Sequence, residues 1–150
     1  MITKWDQRHF AAAVFISRRS KDVTKVGAVL ASPSNAELLN AYNGPPQWTR
    51  DDPERFDRPA KYLFASHAEQ NLISFAARHG IRTDGCLVYV THHPCAACAR
   101  MLIQAGIARI VYGRGTTAMP ADEFHAARVM LAEARIQCEA IEEEESTNEA

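Results

Sequence analysis

The sequence predicts an α/β protein of three layers, α/β/α, built around a five-stranded mixed sheet. Three observations carry this expectation. In the second half of the chain, short apolar runs of strand length alternate with stretches of helical period. Ahead of that alternation, two apolar runs separated by a turn read as an antiparallel hairpin. Such an alternation after a hairpin demands helices on both faces of one sheet, and 150 residues suffice for one domain with a real core.

From Thr3 to about Ser20, the residues Trp5, Phe10, Ala13, Val14 and Ser17 form a stripe at helical spacing, with Arg and Lys opposite. KVGAVLAS, Lys25 to Ser32, is valine-rich and flanked by turn residues, so it reads as a buried strand. SPSN turns the chain, and ELLNAYN, Glu37 to Asn43, returns antiparallel. Residues 44–61 hold four prolines and a dense set of charges, and a loop this long inside a compact domain is usually functional.

His67 to Gly80 then sets Ala68, Leu72, Phe75 and Ala76 at helical spacing and stops on glycine. CLVYVTH, Cys86 to His92, is a third strand. PCAACARMLIQAG, Pro94 to Gly106, opens with proline in a first-turn position and closes on glycine, the punctuation of a helix. ARIVYG is a fourth strand, ADEFHAARVMLAEA a helix, and RIQCEAI a last strand.

Composition narrows the function classes. The hydrophobic fraction is 47% and the charged fraction 23%, ordinary for a soluble globular domain. No apolar run approaches the roughly 20 residues that cross a bilayer, and MITKWDQRHF lacks the pattern of a signal peptide. A cytoplasmic address is expected, with no membrane partner. Net charge is −1, but residues 142–150 carry five glutamates, so the rest is about +4. That body suits a small phosphorylated ligand better than a nucleic acid. The expected division is a catalytic domain over 1–141 and an acidic, disordered tail over 142–150.

Four cysteines in a cytosolic chain point to metal or redox chemistry rather than disulfides. Cys95 and Cys98 lie three apart at a helix start, where positions i and i+3 share a face and the helix dipole favours thiolate. His67, at the start of another helix, is the candidate third ligand. If neighbouring parallel strands deliver both helices, their N-termini meet at one sheet edge. Three ligands leave the open position of a catalytic zinc site. Glu69 then projects into the same pocket without being needed as a ligand, free to move protons. Cys86 and Cys138 read as packing residues, and His9, His79 and His125 as solvated side chains.

These segments are linked. HAE with PCAAC matches the H-x-E…P-C-x-x-C signature of zinc nucleoside and nucleobase deaminases. VTKVGAVL, AYNG, KYLFASHAEQN, LVYVTHHPCAACARMLIQAGI and RIVYG follow in the order and spacing of deoxycytidylate (dCMP) deaminases. From Trp5 to Gly113 the chain resembles that family, departing from its pattern at Ala41, Leu72 and His93.

The resemblance implies a cytidine deaminase-like fold, Zn2+ held by His67, Cys95 and Cys98, and Glu69 as the proton shuttle. It implies that the Ala68 N–H meets the pyrimidine carbonyl, that Asn43 contacts the deoxyribose and that Ala28 lines the base pocket. The implied reaction is hydrolysis of dCMP to dUMP and ammonia, feeding thymidylate synthesis. A homo-oligomer such as a hexamer and a nucleoside triphosphate effector come with it. Beside these, His93 is a candidate to touch the leaving amine and Tyr112 to flank the base. Arg114, Lys21 and Lys25 are candidates for the phosphate.

Two other functions use the same ligands. A deaminase of this fold could act on another cytosine nucleotide or nucleoside, or on tRNA adenosine, the last calling for a more basic surface. A zinc domain without catalysis would have no use for Glu69. It would close the site with a fourth protein ligand; the chain offers none at matched spacing, which leaves only Cys86 and His93 for that part.

Overall fold

In a computed structural model, residues 1–144 are described. The five strands pair in the order β2-β1-β3-β4-β5. They are β1 (Gly27–Ala31), β2 (Glu37–Tyr42), β3 (Leu87–Val90), β4 (Arg109–Tyr112) and β5 (Gln137–Ala140). β1 is antiparallel to both β2 and β3, whereas β3, β4 and β5 run parallel. Each parallel step is bridged by a helix, α4 (Ala96–Gln104) and then α5 (Ala121–Glu133), as parallel neighbours require. The mixed sheet and its strand count are those the sequence predicts.

Side-chain alternation along the strands divides the core in two. Ala28, Leu30, Val88, Val90 and Ile110 face α3 (Ala68–His79), α4 and α5, while Val29, Ala31, Tyr89 and Val111 face α1 (Lys4–Ser17). β1 is buried along its whole length because both of its faces are covered. The helical layers are therefore unequal, with one helix on one side and three on the other. α1 lies close on β1: a Cβ on Gly27 would stand 2.0 Å from the Ala13 carbonyl oxygen.

The expected stripe on α1 needs correction. The buried residues are Asp6, His9, Phe10, Ala13, Ile16 and Ser17, and Trp5 is 47% exposed. His9, expected in solvent, is buried between the rings of Trp5 and Tyr89, and its Nε2 has no hydrogen-bond partner among the described residues. Asp6 is buried because it serves three groups. It closes a capping box with Thr3, accepts the Tyr89 hydroxyl at 2.8 Å and pairs with Arg109 at 2.7 Å.

Residues 44–61 are not wholly irregular. A 3-10 turn covers Pro53–Phe56, and a short helix, α2 (Lys61–Phe64), follows it. The excursion is closed at its base, where Gly44 and Ser66 exchange backbone hydrogen bonds of 3.0 and 2.8 Å. His67 follows at once. Of the acidic tail, 142–144 are exposed and 145–150 lie outside the described residues.

Candidate metal centre and active site

The two helix starts do meet at one sheet edge, though by another route than neighbouring parallel strands. Ala28 of β1 is paired with Ala41 of β2 on one side and Val90 of β3 on the other. β2 and β3 thus point the same way with antiparallel β1 between them. β3 leads through Thr91–Pro94 into α4. β2 leads through the closed 44–66 excursion to His67 and α3.

His67 caps α3 with extended backbone, and its N–H donates to Oε1 of Gln70 at 2.8 Å. Cys95 stands in the corresponding place before α4, and Cys98 one turn in. Nδ1 of His67 lies 3.5 Å from the Cys95 sulfur and 3.4 Å from that of Cys98. The three donor atoms all fall within 4.8 Å of one another. Two sulfurs and one imidazole are a zinc donor set, and three protein ligands leave the coordination position that catalytic zinc needs. Among the described residues, no fourth His, Cys, Asp or Glu joins the cluster. Cys86 instead donates its S–H to the Arg82 carbonyl, and Nδ1 of His93 donates to that of Pro94.

The protonation pattern matches this grouping. The neighbouring Cys98 sulfur, helped by His67, lowers the Cys95 thiol to about 4. Cys98 keeps its proton more strongly because Cys95 is beside it and because it is buried. Cys95 also raises His67. Burial pushes the Glu69 carboxyl up to about 7, against the pull of His67. Glu69 is 4% exposed, and an acid poised near neutrality is what proton transfer at physiological pH requires.

The cleft above these groups is roughly 790 Å3, its open mouth included. His67, Ala68, Glu69, Cys95, Asn43 and His93 of the expected residues line it. The Ala68 N–H belongs to the first turn of α3, where no intrahelical partner is available. Asn43 reaches the cleft with its carboxamide engaged. Its Oδ1 accepts the Val26 N–H and its Nδ2 donates to the Thr24 carbonyl. His93 stands edge-on to Tyr112, 4.6 Å between ring centroids, and burial lowers its pKa.

Other expected residues lie elsewhere. Ala28 is fully buried within β1 and is not part of the cleft wall. Tyr112 stands behind His93 and does not line the cleft. Lys21 pairs with Asp51, Lys25 donates to the Ser20 carbonyl, and Arg114 pairs with Glu142, all outside the lining.

Apart from His92, which precedes the cysteine helix as His93 does, the other residues at the site had no signal in the sequence. Lys61 and Asp22 form a buried ion pair of 3.0 Å. His92, its Nδ1 against the Thr91 hydroxyl at 2.8 Å, is packed so closely by Gly115 that a Cβ there would lie 2.4 Å from the ring. Arg58, Tyr62 and Phe124 are also part of the wall. Glu123 on α5 accepts the Ala96 N–H at the start of α4. Its place in a first helical turn was the one available hint.

Residues 3–114 match the family model described as the cytidine and deoxycytidylate deaminase zinc-binding region. An uncharacterized deaminase in the luxG 3' region of Aliivibrio fischeri is 40% identical over 111 residues, 73% of each chain. The deoxycytidylate deaminase of Homo sapiens is 33% identical over 135 residues, 85% of this chain and 74% of that one. In three dimensions, the dCMP deaminase of cyanophage S-TIM5 in its apo form superposes with a TM-score of 0.75 at 25% identity. That match covers 94% of this chain and 100% of the phage chain.

Proposed function

This chain belongs to the cytidine and deoxycytidylate deaminase family, and from that premise we propose that it converts dCMP and water to dUMP and ammonia, supplying dUMP for thymidylate synthesis. The observation that carries the reading is Glu69, a buried carboxyl beside a three-ligand metal position to which it is not bound as a ligand. The names of the human and cyanophage relatives support dCMP as the substrate. Zinc in this site supplies a Lewis acid that brings the pKa of water toward ~7 and so yields the nucleophile.

The chain's own groups do the rest. Glu69 takes a proton from the attacking water and delivers it to ring N3 as the water oxygen bonds to C4. A second proton passes through the same carboxyl to the exocyclic nitrogen as the C4–N bond breaks. Atoms balance, and Glu69 ends as it began. The Ala68 N–H meets the pyrimidine carbonyl, and Asn43 stands beside the sugar. His93, kept neutral by burial, flanks the amino group that departs.

We take 1–141 as the catalytic unit, since the Ile141 N–H still donates to Tyr112 at the end of the sheet. Exposed Trp48 and Leu63 support burial against further copies in a homo-oligomer. Work on free nucleotides in the cytoplasm, under a nucleoside triphosphate effector, completes the reading. The test is an ultraviolet assay of the zinc-loaded protein on dCMP, deoxycytidine, dCTP and an adenosine-containing RNA loop. The expected outcome is a clear preference for dCMP. Preferred turnover of the RNA, or of none of the four, overturns the assignment.

A further inference from the structure

We propose that Arg58 is the residue that recognises the 5'-phosphate and so sets a preference for nucleotide over nucleoside; this rests on the dCMP reading of the same cleft. Histidines aside, two cationic side chains line the cleft, Arg58 and Lys61. They differ in what already holds them. Lys61 is buried and its ammonium faces the Asp22 carboxylate at 3.0 Å, so its charge is matched. That carboxylate is itself fixed by the Thr24 N–H at 2.9 Å. The pair is neutral as a unit, so it attracts a dianion less than an unpaired cation does.

Arg58 is exposed, and among the described residues no carboxylate lies within ion-pair distance of it. Its Nε–H donates to the Tyr62 hydroxyl at 2.7 Å, and Tyr62 also lines the cleft. That bond holds the guanidinium plane and leaves both terminal nitrogens free. A planar fork so presented is the geometry that binds two oxygens of a phosphate at once. The basic residues suggested by the sequence are otherwise engaged: Asp51 holds Lys21, the Ser20 carbonyl Lys25, and Glu142 Arg114.

Depth gives the direction. Of the residues that line the cleft, Glu69 and Cys95 are buried and Arg58 is exposed. A cytosine nucleotide whose ring reaches Glu69 therefore trails its 5'-phosphate toward the mouth. The segment that carries Arg58 is tied at Gly44 and Ser66, one residue before the metal ligand His67. Phosphate capture and metal ligation thus sit on one closed piece of chain.

The test compares kcat/KM for dCMP and for deoxycytidine in the zinc-loaded full chain, its Arg58→Ala and Arg58→Lys variants, and Tyr62→Phe. Inorganic phosphate serves as a competitive probe. Arg58→Ala is expected to lower the dCMP-to-deoxycytidine ratio about ten- to a hundredfold, through KM for dCMP, and to weaken inhibition by phosphate. Arg58→Lys recovers part of the ratio, and Tyr62→Phe lowers it by less than Arg58→Ala. Zinc content and melting temperature identify a variant that has merely lost its fold, and Arg58→Lys then provides the comparison. A wild-type preference for dCMP that survives in Arg58→Ala with phosphate inhibition intact overturns this assignment alone. A wild type that prefers deoxycytidine overturns the reading beneath it.

Discussion

The carboxylate of Glu123, on the first turn of α5, accepts the backbone N–H of Ala96 at 3.1 Å. Ala96 opens the helix whose flank carries both sulfur ligands, so α5 holds that turn from outside the metal cluster. Groups that orient ligands without ligating affect metal affinity by about ten- to a hundredfold. Glu123→Ala is expected to weaken zinc retention about tenfold in competition with a chelator, whereas Glu123→Gln keeps an acceptor and most of the affinity. Equal affinity in all three proteins reduces the contact to helix packing.

Glu69 lies beside the ligands and is not one of them. Glu69→Gln should retain zinc at the parent stoichiometry and lose dCMP turnover by about 10²- to 10⁴-fold. Metal analysis and the loss of cytosine absorbance measure the two quantities separately. A variant within tenfold of the parent rate assigns the proton transfer to another group.

Acid should loosen the opposite face of the sheet. Burial alone would raise Asp6, but hydrogen bonds from Arg109, the Thr3 N–H and Tyr89 outweigh it and bring the carboxyl from 3.8 to about 2. The folded state therefore favours the charged form, and the unfolded chain takes up the proton first. The stabilisation is complete above about pH 5, shrinks as the pH falls through 3.8 and is lost near 2, amounting to about 2 kcal/mol. Urea unfolding between pH 7 and pH 2 should show that loss in the parent protein and not in Asp6→Asn. Parallel curves for the two leave the acid sensitivity to other carboxylates.

The metal ligands were legible because their signal is local. A histidine at one helix start and a Pro-Cys-x-x-Cys at another state both the residue type and the face. Leu72 fills the core, as its place on the helical stripe predicts, and Gln70 accepts the His67 N–H. What sequence did not disclose depends on distant pairing. Asp6 is buried because Arg109 lies 103 residues away. His9 is buried because Tyr89 covers it, and the large apolar Trp5 drew the helical stripe toward itself. Basic residues look alike until their partners are known. Of the two cations other than histidine that line the cleft, Asp22 neutralises Lys61, and Arg58 has no carboxylate partner among the described residues.

The sheet with one helix behind it and three in front has a bearing on how such a protein can change. The ion pairs of Asp6, Arg109 and Glu139 serve endurance, while the chemistry lies across a layer of buried strands. Substitutions so separated combine nearly independently. A lineage moving to hotter or more acidic surroundings can therefore rebuild the α1 side by small steps and keep its substrate. One that shifts its diet of nucleotides can alter the 44–66 excursion and keep its endurance.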